Sequence, residues 1–272
     1  MSRISQCFSQ LKVDGQTALI PYITAGDPEP WVTVPVMHAM VEAGANLLEL
    51  GVPFSDPMSD GPVIQKACER ALKNDMSLKH VIDMVAQFRE KDSETPIILM
   101  GYANPLEAMG YTAFAEAAQK AGVDGVLTVD MPPEESDTFM PAMEAHGIDT
   151  IFLVSPTTTE ARMARIAKHA KGFIYYVSIK GVTGSASIDV SQLAEKLTML
   201  KQYTDLPLGV GFGIRDGKSA AAVSDVADAV VVGSTLVNCI AEHEHNLESL
   251  PAALAGLLAE MRHAINERDM AK

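Results

Sequence analysis

The chain has 272 residues, 47% hydrophobic and 21% charged, the balance of a globular protein with ample material for a large core. Thirty-five acidic against 21 basic side chains leave a net charge of -14, which repels phosphate backbones and anionic lipid surfaces and so argues against nucleic acid or a membrane as partner. Three scattered cysteines, Cys7, Cys68 and Cys239, suggest neither a disulfide framework nor a zinc knuckle. The opening MSRISQCFSQLKVDGQ has no apolar h-region, and no stretch approaches the ~18 uninterrupted apolar residues of a membrane span. A cytoplasmic protein is expected.

Ile4, Phe8 and Leu11, spaced i, i+4, i+7, predict an amphipathic N-terminal helix. Short β-rich runs closed by Gly, Pro, Asp or Ser then follow in a regular series: 18–24, 46–52, 96–102, 125–131, 150–155, 173–179, 208–214 and 229–234. Most are continuously apolar rather than alternating, as strands covered on both faces of a parallel sheet are. Amphipathic segments lie between them, for instance 112–122, where Phe114, Ala117, Ala118 and Ala121 share a face and Gly122 caps the end. The turn before a strand repeats in EAGANLLEL, KAGVDGVL and HGIDTIF, so the unit is βα throughout. Eight such units without a dividing linker predict an α/β fold: a (β/α)8 TIM barrel with an extra N-terminal helix, one domain over 1–272. The first helix plugs the N-terminal mouth, and 250–265 forms the eighth outer helix.

Chemistry in such a barrel belongs at the C-terminal ends of the strands. Glu49 falls near the end of the second strand among Leu47, Leu48, Leu50 and Val52, where a carboxylate costs several kcal/mol unless it is paired or its pKa rises. It points the same way as Leu47 and Gly51, and Gly51 leaves room above it. Either a raised pKa fits it for proton transfer, or a structural hydrogen bond or salt bridge satisfies it. Asp60 lies in the exit loop among the turn formers Ser55, Asp56, Pro57, Ser59 and Gly61; it is a second functional carboxylate or simply a turn cap. GVGFG at 209–213 and VVVGST at 230–235 match a barrel phosphate site, in which glycines and a helix N-terminus present backbone N–H groups. KGVTGSAS at 180–187 is a mobile lid or a flexible connector. Tyr22, Tyr102, Phe212, Met100, Leu127 and Val129 sit at predicted strand ends, as core or as the walls of a site for a flat apolar ligand. His243 and His245 in EHEH are spaced by two rather than the four of a helical zinc pair, and the two aspartates of DPMSDG have no partner cluster, so no metal site is assigned.

At LELGVPFSDPMSDGP (48–62) the sequence resembles the tryptophan synthase alpha subunit family. PYITAGDP (21–28), MGYANP (100–105), DMPPEE (130–135), YYVSIKGVTG (175–184), GVGFGIRD (209–216) and VVVGS (230–234) are similar to that family's blocks, in order along nearly the whole chain. The resemblance implies a lyase that cleaves indole-3-glycerol phosphate to indole and glyceraldehyde 3-phosphate without metal or organic cofactor. It implies that Glu49 is the acid/base carboxylate, Asp60 the second catalytic carboxylate and Tyr175 an active-site tyrosine. Thr183 would be the loop residue that closes toward Asp60. It puts the phosphate near Gly184, Gly213, Gly233 and Ser234, and the indole ring between Tyr22, Met100, Leu127 and Phe212. Glu49, buried, would shuttle the proton, and Asp60, on a polar loop, would stay ionised and accept the ring N–H. A beta subunit would dock on the loops carrying Pro53, Asp56, Asn104 and Pro105. The chain departs from the family at Ser59, where a small apolar residue is usual, at Thr235, where alanine is usual, and in the short stretch SASID after Gly184. Two rivals remain: another phosphate-binding barrel enzyme, which would use a lysine at a strand end where only Lys180 is near, and a non-catalytic barrel that binds and activates a beta-type partner.

Overall fold

In the computed structural model, which describes residues 2–177, 190–211 and 213–271, eight parallel strands close into a barrel in chain order. They are β1 Ala18–Thr24, β2 Leu48–Gly51, β3 Ile97–Gly101, β4 Gly125–Thr128, β5 Asp149–Val154, β6 Ile174–Val177, β7 Leu208–Gly211 and β8 Ala229–Val232. Closure is made by β8 on β1, with Pro21 opposite Val232. Each predicted run contains its strand or overlaps it within a residue, and the strands are shorter than the apolar runs because pairing stops where the chain turns. After β4, for example, the Met131 N–H already folds back to the Thr128 carbonyl.

The unbroken apolar runs reflect two cores. Alternate residues such as Leu19, Leu48, Leu50, Leu99, Val126, Val210 and Val230 face outward and pack with the surrounding helices. Their neighbours Ala18, Ile20, Leu47, Ile98, Leu127, Ile151, Phe173, Ala229 and Val231 fill the barrel interior. The helix Arg3–Val13 adds Ile4, Phe8 and Leu11 to that inner cluster. Gly125 is needed beneath it, since a Cβ there would come within 2.9 Å of Ile4 Cδ1. Arg3 and Arg89 both bind the buried Asp124 carboxylate, at 2.9 and 2.8 Å, fixing this end of the molecule. The N-terminal mouth is filled by the side chains of the inner cluster, which leaves the C-terminal mouth as the expected place for a ligand.

The helices follow the expected alternation with additions. Two helices, Pro62–Leu72 and Leu78–Arg89, separate β2 from β3, and Ala103–Met109 precedes Tyr111–Ala121 between β3 and β4. In the last of these Gly122 adopts the left-handed conformation (φ 89°) and closes the helix, as expected, while Ala115 rather than Ala117 is fully buried beside Phe114 and Ala118. A helix over Ser234–Glu242 follows β8 directly, and the tail helix runs on to Leu250–Asp269, where Asp269 receives the Thr17 N–H and hydroxyl at 2.7 and 2.9 Å. Among the described residues no helix is long and apolar enough to cross a membrane.

Candidate active site

The pleat of β2 sends Leu48 and Leu50 outward to the helices and Leu47, Glu49 and Gly51 inward. Glu49 is 1% exposed, and neither carboxyl oxygen has a hydrogen-bond partner among the described residues. Neither structural explanation for a buried glutamate therefore applies in the described part of the molecule. Burial, followed by repulsion from Asp60, pushes its pKa up to about 8, so the side chain is mostly a neutral acid at neutral pH. Tyr22 is its cross-strand neighbour on β1. The Tyr22 hydroxyl lies 3.2 Å from Thr24 Oγ1 and occupies the space over Gly51, where any Cβ would collide with it.

Asp60 approaches from the loop that leaves β2. Its N–H donates to the Pro57 carbonyl at 3.0 Å, and its own carbonyl accepts from Gln65 Nε2 at 2.8 Å, so the main chain around it is held on both sides. The carboxylate does not cap the next helix, whose N-cap is Gly61 with no side-chain bond. It reaches instead to Tyr102, whose hydroxyl donates to Oδ2 at 2.8 Å. Burial raises the Asp60 pKa, and the Tyr102 bond opposes that. Tyr175, half-buried on β6, faces the interior with its hydroxyl lodged over Gly211 of β7. Burial and the charges of Glu49 and Asp60 hold its phenol well above the usual range, and it stays protonated. Glu49 on β2 and Tyr175 on β6 both point into the barrel, and the ionisation of each is opposed by the charge of Asp60.

β7 ends in Gly211 with Gly213 two residues on, and Gly233 follows β8 directly. Gly213 has φ 80°, a conformation that costs a residue with a Cβ about 1–2 kcal/mol. Gly233 is the N-cap of Ser234–Glu242, whose first N–H groups have no preceding turn to bond. The atoms nearest a Cβ on Gly233 belong to Tyr22, at 3.6–3.9 Å, an ordinary contact distance. Thr235 answers the question raised by its departure from the family pattern: its hydroxyl donates to the Ile214 carbonyl at 2.9 Å and ties the helix after β8 to the loop after β7. Thr183, Gly184, Phe212 and Lys180 lie outside the described residues.

The apolar lining is wider than the strand-end residues. Tyr22, Ala67 and Val237 form a buried cluster joined by Val63, Ile64 and Met100, so two helices roof the site. Met100, Val129, Leu153 and Tyr175 are partly exposed over the inner core, whereas Leu127, one inward step below Val129, is wholly buried and belongs to the floor. Leu153 at the end of β5 and the helical contributors were not among the expected lining residues; for the helix after β2 the apolar spacing of Val63, Ile64 and Ala67 was the available signal. Among the described residues no three His, Cys, Asp or Glu side chains gather as a metal site would require.

A closed (β/α)8 barrel with a neutral buried acid beside a second carboxylate at its C-terminal mouth, facing glycine-ended strands and a helix N-terminus, defines an acid/base barrel enzyme. The sequence pattern of the tryptophan synthase alpha chain family matches residues 8–266, and the chain belongs to that family. The tryptophan synthase alpha chain of Thioalkalivibrio sulfidiphilus (strain HL-EbGR7) is 63% identical over 266 residues, covering 98% of this chain and 100% of that one. The crystal structure of tryptophan synthase subunit alpha from Legionella pneumophila str. Paris is similar with a TM-score of 0.92 at 46% identity, covering 98% of this chain and 99% of that one. A chain of the tryptophan synthase complex from Pyrococcus furiosus matches with a TM-score of 0.80 at 35% identity, over 90% of this chain and 97% of that one.

Proposed function

We propose that Glu49 and Asp60 divide the proton work of the family's lyase reaction between them. As a member of this family the chain catalyses the alpha reaction of tryptophan biosynthesis, cleavage of indole-3-glycerol phosphate to indole and glyceraldehyde 3-phosphate. In the proposed route neutral Glu49 gives its proton to indole C3, and the positive charge that appears on the ring nitrogen is balanced by ionised Asp60, which accepts the N–H. The Glu49 carboxylate then takes the proton of the hydroxyl on the carbon attached to C3. That O–H pair becomes the aldehyde C=O, the C–C bond pair returns to the ring, and Glu49 ends protonated as it began. The observation that carries this reading is the buried Glu49 carboxyl, without a hydrogen-bond partner among the described residues and with its pKa raised to about 8 by burial and the charge of Asp60.

The remaining assignments belong to the same proposal. Tyr175 presents a neutral phenol beside both acids, and Thr183 meets Asp60 when ligand is bound. The indole ring lies between Tyr22, Met100 and Phe212 with Leu127 beneath, and the phosphate rests on main-chain N–H groups at Gly184, Gly213, Gly233 and Ser234. Residues 1–272 act as one barrel unit in the cytoplasm. A beta subunit docks on the segments after β2 and β3, where Asp56 is exposed in a loop, while Asn104, exposed, and Pro105, half-buried, lie in the helix Ala103–Met109 rather than in the expected loop. Pro53 is itself buried, so it shapes the base of that surface.

Indole release from indole-3-glycerol phosphate, followed with and without a beta subunit, tests the roles. Release should vanish in Glu49→Gln and Asp60→Asn while the ligand still binds. Unchanged release in both would remove the assignment, and absence of release by the intact chain while a beta subunit is still activated would favour the non-catalytic reading.

A further inference from the structure

We propose that Tyr102 is a positioning residue for Asp60, committing its single hydroxyl proton to Oδ2 and thereby holding that carboxylate charged and oriented for a ligand N–H. The inference rests on the reading of Asp60 as the acceptor of the ring N–H.

A phenol oxygen has one proton to give and lone pairs to receive with. The Ser59 main-chain N–H, which can only donate, points at the Tyr102 oxygen at 3.0 Å. That contact uses an acceptor site, so the phenol proton remains for Asp60 Oδ2 at 2.8 Å. The two bonds together fix the direction of the hydroxyl, because reversing it would set the Tyr102 proton against the Ser59 N–H. A donor held in that direction stabilises the ionised carboxylate over the neutral acid.

The ring is held as firmly as its hydroxyl. Phe54 lies against it with centroids 5.3 Å apart, and the next residue's N–H, that of Ala103, donates to Asp130 Oδ1 at 2.8 Å. Tyr102 follows β3 and is 42 residues from Asp60, so a strand end rather than the mobile part of a turn sets where the carboxylate stands. The groups around Asp60 include Glu49 from β2, Tyr22 from β1, Tyr175 from β6 and Cys68 from the helix Pro62–Leu72, all of them acids that gain nothing from a second negative charge. Among the described residues no Lys, Arg or His pairs with it, and the Tyr102 hydroxyl is the group that opposes the cost of burying its charge.

Tyr102→Phe removes the hydroxyl and keeps the ring on Phe54. The experiment is the pH profile of kcat/KM for indole-3-glycerol phosphate cleavage by the complex with a beta subunit, for the wild type and this variant, with Asp60→Asn beside them. The acid limb of the variant should move to higher pH, with about a tenfold loss on the acid side, the worth of one hydrogen bond to a charged group, and recovery once Asp60 ionises. A loss by the same factor at every pH, as a merely structural disturbance gives, or an unmoved limb would overturn the role of Tyr102. If Asp60→Asn retains cleavage, the reading of Asp60 fails first; if it abolishes cleavage while the Tyr102→Phe limb stays in place, only the positioning role fails.

Discussion

Glu49→Gln should make the folded chain more stable than the wild type by an amount that grows as pH rises, although it removes the proposed proton donor. In the folded state the pKa of Glu49 is raised from an ordinary 4.5 to about 8, chiefly by burial and then by the charge of Asp60. Between those values the folded protein binds a proton that the unfolded chain has lost, so the stability supplied by the neutral acid is complete below pH 4.5 and declines until pH passes about 8. At about 1.4 kcal/mol for each unit of pKa, the wild type has given up about 3 kcal/mol at neutral pH and about 5 kcal/mol at about pH 9. A glutamine does not titrate, and whatever its carboxamide costs in this site is constant with pH. The assay is urea unfolding of both proteins from about pH 5 to about pH 9, read as the difference between their unfolding free energies. That difference should swing by about 4 kcal/mol in favour of the variant. A difference that is flat across the range would show that Glu49 ionises normally, and the argument from its burial would be wrong.

Because the proposed route begins with protonated Glu49, kcat/KM should fall as pH rises past about 8, on the far side of the acid limb set by Asp60, which a pH profile at low substrate concentration measures. Gly51→Ala should drive a methyl group into the Tyr22 side chain and cost about 1–3 kcal/mol by urea unfolding, with only part of it recovered in the double variant with Tyr22→Phe, because ring carbons 2.7 and 2.9 Å from the new Cβ remain. Gly213→Ala must adopt φ near 80° and should cost about 1 kcal/mol in stability. It should also weaken binding of a glycerol phosphate analogue in calorimetry, and unaltered affinity would count against a phosphate cradle there.

The barrel was legible because the βα unit repeats and because residues such as Leu99 and Val126, packed under helices, alternate with Ile98 and Leu127, packed inside, to give continuous apolar runs. That Glu49 is buried could be read from those neighbours; that it lacks any described partner could not, since partners come from other strands. Asp60 was ambiguous for the opposite reason. Its turn-forming neighbours explain an aspartate by themselves, and the bond that separates it from a cap comes from Tyr102, 42 residues away. Likewise Leu127 and Val129 are equivalent in a sequence pattern of period two, and only the stagger of the closed sheet makes one the floor and the other part of the exposed lining. The spacing of Ile64 and Ala67 marks an apolar helix face, but that this face and Val237 roof the mouth is set by how two helices pack, which the local pattern does not encode.

The most direct test is a crystal structure of the Glu49→Gln variant, in complex with a beta subunit, holding uncleaved indole-3-glycerol phosphate. The ring N–H should point at the Asp60 carboxylate, the substituted side chain should lie within hydrogen-bond reach of the hydroxyl next to indole C3, and the phosphate should sit over the main-chain N–H groups of Gly213 and Ser234. A ring bound with its nitrogen turned away from Asp60, or a side chain at position 49 remote from both the hydroxyl and C3, would contradict the account.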